Sequence, residues 1–110
     1  MIIVFVEHFL SEDGQRYFPT WIEEIAEVLR EFEGFISIRQ LTDIDNPERC
    51  QLLLRFESLD LLRDWADSDE HDRMIERLAP YRKRKQTSEI FRAESDPTGT
   101  VPDDGASGTG

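Results

Sequence analysis

The order of hydrophobic and polar positions along the chain predicts strands and helices in the order β-α-β-β-α-β. Residues 2–6 are β-branched and aromatic, as in a central strand, and residues 7–9 extend it. A stripe of apolar residues at helical spacing follows, and it consists of Phe18, Trp21, Ile22, Ile25, Leu29 and Phe32. Gly34 is the residue at which this helix is expected to stop.

The second half of the chain predicts three more strands and a second helical region. The strands are residues 35–41, 50–57 and 87–93. Ser58 is placed to cap a helix after the third strand, and the inner face of that helix consists of Leu59, Leu61, Leu62 and Trp65. Another helical stripe ends at Pro80 and consists of His71, Met74, Ile75 and Leu78.

This order of elements predicts an α+β, ferredoxin-like fold, in which a four-stranded antiparallel sheet carries its helices on one face. Side chains alternate along a strand, so Val4, Val6 and His8 are expected to face the helices. The opposite face then carries the apolar residues Ile3, Phe5, Phe9, Leu53 and Phe91. Because an exposed apolar patch of this kind usually marks an interface, the pattern predicts a homodimer whose sheets pack face to face.

Charge narrows the range of partners. The chain has 110 residues, with 13 Lys+Arg against 24 Asp+Glu and a formal net charge of −11. Such acidity argues against nucleic acid or an anionic membrane as a partner. The basic run over residues 82–85 is the exception, and its alternatives are a nucleic-acid contact and a solvated connector at a helix end. The acidity of the whole chain favours the connector.

The composition also predicts a disordered C-terminal segment and the cellular compartment of the protein. From residue 95 onward Ser, Asp, Pro, Thr and Gly dominate, which predicts a disordered acidic tail over residues 95–110. Cys50 is the only cysteine, which suits a reducing compartment. No signal peptide is apparent, and no segment has the ~20 apolar residues of a membrane span. We therefore expect a cytoplasmic protein.

Few residues carry an obvious chemical signature. The two histidines and Cys50 have no metal-ligand spacing, and no phosphate loop or dinucleotide fingerprint occurs, so we expect neither a metal nor a cofactor. Cys50 is interpreted as a small buried hydrophobe, with a Cys/His nucleophilic pair as the alternative. Arg39 and Arg55 are expected on the far face of the sheet. They either hold an anionic ligand or pair at an interface with Glu7 and Glu89.

Several short segments, taken together and in order, resemble the antibiotic biosynthesis monooxygenase (ABM) superfamily, of the dimeric α+β barrel type. The segments are the apolar first strand ending in Glu7-His8, then Glu33-Gly34-Phe35, Leu54-Arg-Phe56, and Leu62-Arg-Asp-Trp65 with Ser68. The resemblance implies an ABM-like domain over residues 1–94, two copies of which pair into a barrel. It also implies a pocket between the helices and the sheet.

The family resemblance implies a cofactor-independent monooxygenase that acts on a planar phenolic or quinol-like molecule. Several members oxidise aromatic polyketides or quinols with O2 and without metal or flavin, and others degrade haem. Oxidation with O2 alone needs a dry apolar cavity and a base that generates a phenolate. The alternative is a non-catalytic dimer module that binds a small molecule or a protein, favoured by a cavity below the ~300 Å³ usual for ligand sites.

Five residues are the candidates for such a site. His8 is the candidate base, and the pocket wall is expected to include Trp65, Phe56, His71 and Trp21. The structural alternatives are core packing for Trp65, a half-exposed strand end for His8, and a solvent-exposed first helical turn for His71. Haem-degrading members carry a histidine about where this chain has Ile75, and this departure argues against haem.

Overall fold

The computed structural model describes residues 1–98, and its elements follow the predicted order. They are β1 (Ile2–Leu10), α1 (Glu12–Leu29), β2 (Phe35–Leu41), β3 (Cys50–Phe56), α2 (Leu59–Ala66), α3 (Asp69–Glu76) and β4 (Arg82–Arg92). A 3₁₀ turn, Ala79–Tyr81, precedes β4. The predicted tail lies outside the described residues from residue 99 onward.

The four strands form one antiparallel sheet in the order β2-β3-β1-β4. The first strand of the chain is therefore an inner strand, hydrogen-bonded to β3 on one side and to β4 on the other. The core lies between the helices and one sheet face, where Val4 and Leu54 pack with residues of all three helices. The ferredoxin-like prediction is confirmed. No helix within residues 1–98 is long and apolar enough to cross a membrane.

Helix α1 begins and ends for identifiable local reasons. The hydroxyl of Ser11 accepts a hydrogen bond from the backbone N–H of Gly14 at 3.3 Å, which caps the first turn. The helix ends at Leu29, before the predicted stop. Phe32, the last residue of the apolar stripe, lies in the turn after the helix but still packs edge-on against Trp65. Gly34 has φ +86° and turns the chain into β2.

The far face of the sheet is apolar and partly exposed. Ile3, Phe5 and Phe9 are half-buried, whereas Ile2, Val4, His8 and Leu10 on the other side of the strand are buried, as expected of a strand covered on one side. Leu53 pairs with Phe5 across β1 and β3 and lies on the same face. Phe91 is 50% exposed. None of the helices in the described part of the chain packs on these residues.

Strand β4 begins five residues earlier than predicted, at Arg82 instead of residue 87. The basic run is therefore the start of an edge strand, and its interpretation as a connector at a helix end was wrong. Pairing with β1 holds this segment, through Leu10 with Arg82 and Phe9 with Arg84. The Arg84 guanidinium lies 4.0 Å above the Phe9 ring. Exposed cations on an edge strand also discourage pairing with foreign strands.

Glu7 has a different partner from the two arginines considered above. Its carboxylate accepts two hydrogen bonds from Arg49, at 2.9 and 2.6 Å, and this pairing lowers the pKa of Glu7. Arg49 donates a third bond to Asp43 at 2.7 Å. The three side chains fasten the connection between β2 and β3 onto β1. Arg39 and Arg55 do share the far face with Glu7, as the register predicts.

Candidate functional site

A cavity of about 190 Å³ lies between the helices and the helix-facing side of the sheet. Its buried wall is almost entirely apolar, and the aliphatic part of this wall consists of Val4, Leu52, Leu54, Ile25, Leu29 and Leu62. The volume is below the ~300 Å³ typical of sites for drug-sized ligands. It exceeds the ~150 Å³ of an apolar protein cavity that binds benzene. The space therefore suits a single aromatic ring.

The cavity opens at the edge of the sheet, between α2 and β4. The lining residues of β4 are Gln86, Ser88 and Ile90, and Ile90 is 56% exposed. On the helix side, Arg63 and Ala66 line the same opening and are exposed as well. Because β4 is an edge strand that the helices leave uncovered, the inner wall is dry while the mouth meets solvent.

His8 lies in the buried wall of the cavity, with only 4% of its surface exposed. Its ring meets Trp21 edge-on, with centroids 5.2 Å apart, and tilts against Phe18 at 6.0 Å. Burial, and then the positive charges of Arg82 and His71, lower the pKa of His8 to about 4. The imidazole is therefore neutral at neutral pH, and its unprotonated nitrogen can accept a hydrogen bond.

The alternation of β1 explains why His8 points inward, since it follows Val4 and Val6 on the helix-facing side of the strand. Its cross-strand partner on β3 is Cys50, and the register between β1 and β4 shifts between Glu7 and Phe9. Glu7 and His8 are both buried, one on each side of the sheet. The inward-facing row of β1 therefore brings a polar side chain into the cavity.

Trp65 and His71 form a second part of the wall. The Trp65 ring is buried and perpendicular to the His71 ring, with centroids 5.2 Å apart. Ser68, between the two helices, connects them. Its hydroxyl donates to the Trp65 carbonyl at 2.7 Å and accepts from the His71 backbone N–H at 3.1 Å. One serine therefore fixes the relative positions of two lining residues.

Trp21 contributes an aromatic surface to the cavity, but its polar group is already engaged. Its indole N–H donates to the backbone carbonyl of Met74 at 2.8 Å, which ties α1 to α3. The side chain is almost completely buried. Trp21 can therefore contact a flat ligand through its ring, while its N–H holds two helices together.

Phe56 does not line the cavity, contrary to the sequence-based expectation. It lies at the end of β3, fully buried, between Ile2 of β1 and Phe35 of β2. Its ring packs edge-on with Phe35 at 5.9 Å. The alternation of β3 does direct Phe56 towards the helices, but its position at the strand end places it in solid core beyond the cavity.

Cys50 is a buried free thiol next to His8 in the sheet. Burial raises its pKa to about 11, and the negative charge of Glu7 adds to the effect. A thiol in this state is protonated at neutral pH and a poor nucleophile, so the structure favours the packing interpretation. Within residues 1–98 there is no group of three His, Cys, Asp or Glu side chains that could hold a metal ion.

A second, more open cleft of about 460 Å³ lies at the sheet end, on the other side of His8. Its rim is charged and includes Glu7, Arg49, Lys83 and Arg84. Two of these groups already pair with each other, and Arg84 lies over Phe9. The apolar cavity is the better candidate site, because it combines a dry wall with few polar groups.

Sequence reasoning missed the mouth of the cavity. Arg63, Gln86 and Ser88 line it, and none of them was a candidate. The alternation of β4 carried a usable signal, since Ser88 and Ile90 pair with Val6 and Val4 and so share their face. No comparable signal exists in the sequence for Arg63, because an exposed arginine on a short helix has the pattern of any solvated residue.

Comparison with known proteins gives a consistent result. A family model described as antibiotic biosynthesis monooxygenase matches residues 1–77. No curated protein matches the chain significantly. Among solved structures, a conserved protein from Methanosarcina mazei Go1 has a TM-score of 0.74 at 18% identity, over 84% of this chain and 92% of that one. SnoaB, a cofactor-independent oxygenase from Streptomyces nogalater, has a TM-score of 0.71 at 14% identity, over 87% and 96%. At these identities the likeness shows the fold.

Proposed function

The chain belongs to the antibiotic biosynthesis monooxygenase family, and we propose that it is a cofactor-independent monooxygenase acting on a single-ring phenol or quinol. The observation that carries the proposal is the buried, neutral imidazole of His8 in the wall of an otherwise apolar cavity. Cofactor-free oxidation by O2 needs these two things together: a dry space and an acceptor for the phenolic hydrogen bond.

The proposed reaction is balanced without an external reductant. The phenol gives up its hydroxyl proton, and the phenolate passes an electron to O2. Recombination forms a carbon–oxygen bond at a ring carbon that lies ortho or para to the hydroxyl and carries a hydrogen, giving a hydroperoxide. Loss of water from this hydroperoxide leaves an ortho- or para-quinone. A quinol reacts at the ortho carbon, because its para carbon already bears an oxygen. One oxygen atom of O2 stays on the ring and the other leaves as water, with the hydrogens lost from the hydroxyl and the ring carbon.

His8 is assigned the hydrogen bond from the substrate hydroxyl. Its pKa of about 4 makes the free imidazole a weak base. Desolvation and two positive charges cause this low value, and a phenolate beside the ring would act in the opposite direction. The imidazolium is therefore stable only while the phenolate is present, which couples proton transfer to substrate binding. The rings of Trp65 and Trp21 line the cavity that also holds His8, so they would contact the flat ring of the substrate.

The test is O2 consumption with a panel of single-ring phenols and hydroquinones, in the presence of a metal chelator. We expect turnover by the native chain and a loss of about 10²–10⁴ in rate for His8→Gln. Urea denaturation of His8→Gln at pH 7 serves as the control, because a cooperative transition shows that the variant is folded. Undiminished turnover by a folded His8→Gln protein would contradict the role of His8.

A non-catalytic module that binds a small molecule is the second candidate function. The small cavity volume and the low pKa of His8 favour it, since a general base works best with a pKa near the working pH. Binding of hydroquinones without any O2 uptake would support this alternative. Haem binding is the least favoured, because Ile75 lines the cavity in place of an axial ligand. The absence of a Soret shift on adding haem would end that idea.

We also propose that the molecule is a homodimer, in which the far faces of two sheets pack against each other. Half-buried Ile3 and Phe5, together with exposed Phe91, support this arrangement because they form an apolar face without a covering element.

A further inference from the structure

We propose that Arg63 binds a carboxylate on the substrate, so that the substrate is a hydroxylated aromatic acid. The inference rests on the proposed function for one point only, namely that the apolar cavity holds the substrate. It adds the chemical class of the molecule and assigns a residue that determines specificity. The supporting observations are the position of Arg63, its lack of partners, and the charge of its surroundings.

Arg63 is the only Lys, Arg, Asp or Glu among the described residues that line the cavity. The chain as a whole has a net charge of −11 and would repel an anion. Arg63 places one positive charge at the mouth of this apolar space, where a carboxylate would find a partner. A ligand with an apolar ring and one negative group matches this distribution.

The guanidinium of Arg63 makes no hydrogen bond and no ion pair with any residue of the described part of the chain. Asp60 on the same helix and the C-cap residue Asp67 lie three and four positions away, at distances where pairs commonly form. Arg16 pairs with Asp13 and Arg77 with Glu24, whereas Arg73 of α3, like Arg63, has no ion pair within residues 1–98. All the donors of Arg63 are therefore available to a ligand.

The positions of Arg63 and His8 set the orientation of the ligand. Arg63 is exposed at the mouth, whereas His8 lies in the buried wall. A single ring that spans the space would direct its hydroxyl to His8 and its carboxylate to Arg63. Ser88 and Gln86, which line the same mouth from β4, offer further hydrogen bonds to the carboxylate oxygens.

The test compares 2,5-dihydroxybenzoate with 2,5-dihydroxybenzamide, a neutral analogue of almost the same shape, by titration calorimetry at pH 7. We expect the native protein to bind the acid about tenfold more tightly than the amide, since a charge-assisted hydrogen bond is worth about that factor. Arg63→Gln should bind both compounds equally, with the affinity for the amide unchanged. Arg63→Lys should keep part of the preference, and added salt should reduce it.

Arg73→Gln is the matched control, because Arg73 is an exposed arginine on α3 that does not line the cavity. It should keep the full preference for the acid. The proposal is overturned if the native protein binds acid and amide equally or binds neither. It is also overturned if Arg63→Gln weakens both compounds alike, or if Arg73→Gln loses the preference as Arg63→Gln does.

The outcomes for the two proposals can be separated. Selective binding of the acid that depends on Arg63, without O2 uptake, would support the present inference and contradict the monooxygenase. Turnover of neutral hydroquinones without any preference for the acid would do the reverse.

Discussion

His8 affects both the candidate ligand site and the stability of the core, and it affects them in opposite ways. Packing against Trp21 and Phe18 removes water from the imidazole, and this favours the neutral ring. A neutral ring is a useful acceptor for a hydroxyl, but it is also a group that the folded state cannot easily protonate. The residue that serves the ligand should therefore make the fold sensitive to acid.

This sensitivity gives the first stability prediction. The pKa of His8 is lowered from 6.5 to about 4 in the folded state, so between these values the unfolded chain binds a proton that the folded chain does not. The free energy of unfolding must then fall as the pH decreases through this range, by at most about 3 kcal/mol from this residue.

Urea denaturation at pH 7 and pH 4.5 measures the effect. His8→Gln should lose less stability between the two pH values than the native chain. Equal pH dependence in His8→Gln and the native chain would show that His8 is protonated at little cost.

The backbone conformation of Gly34 leads to a second prediction about a single residue. Its φ of +86° is unfavourable for any residue with a Cβ, and an added Cβ would lie 2.5 Å from Cδ1 of Leu61. Gly34→Ala should reduce the free energy of unfolding by about 1–3 kcal/mol from the backbone alone. Leu61→Ala removes the contacts with Cδ1 and Cγ of Leu61 and keeps the one with Cβ at 2.8 Å, so the same glycine substitution should cost less there. Equal costs in the two backgrounds would mean that the outer atoms of the Leu61 side chain contribute nothing.

At the scale of elements, the two short helices α2 and α3 form one side of the cavity. Each has eight residues, too few to be stable without tertiary contacts, and each begins with a capping serine. Ser58 and Ser68 differ in one respect. Within residues 1–98, the hydroxyl of Ser58 only accepts a hydrogen bond, from Leu61 at 3.3 Å, whereas that of Ser68 also donates to the last turn of the preceding helix.

This difference predicts different consequences for the two alanine variants. Ser58→Ala and Ser68→Ala should each lower the free energy of unfolding by about 1 kcal/mol, as loss of a cap does. Only Ser68→Ala should also weaken ligand binding, because it releases Trp65 from His71. Urea denaturation and calorimetry with 2,5-dihydroxybenzoate measure the two effects. A Ser68→Ala protein that binds as tightly as Ser58→Ala would contradict the positioning role.

The bounds of the elements also show how much of the fold can be predicted from the sequence. β2 has the predicted bounds and β3 ends one residue early, because buried faces impose a period that can be read directly. The start of β4 could not be read, since Arg82 to Lys85 are exposed and only their pairing with β1 makes them a strand. The same distinction applies to the site. Inward-facing Trp65 and His8 follow from periodicity, whereas Arg63 is identified only by the cavity beside it.

For the whole molecule, the far face of the sheet leads to a prediction about its assembly. Scattering at micromolar concentration should give the mass of a dimer, and Phe5→Glu should reduce it to that of a monomer, because a buried charge without a partner is costly. Ile44→Glu is the control, since Ile44 is an exposed apolar residue outside the sheet. A monomeric native chain, or a dimer that survives Phe5→Glu, would count against the proposed interface.

The inner position of β1 has a consequence for the order in which the protein can be made. Ile2 pairs with Arg92, so β1 cannot acquire its neighbour β4 until β4 has left the ribosome. At about 5–20 residues per second, the wait lasts several seconds. During this time an apolar strand has one open edge, which is the situation that favours aggregation. Within this sheet, β1 therefore depends on the strand that leaves the ribosome after all its other partners, and chaperone binding to nascent chains should be strongest before residue 82 emerges.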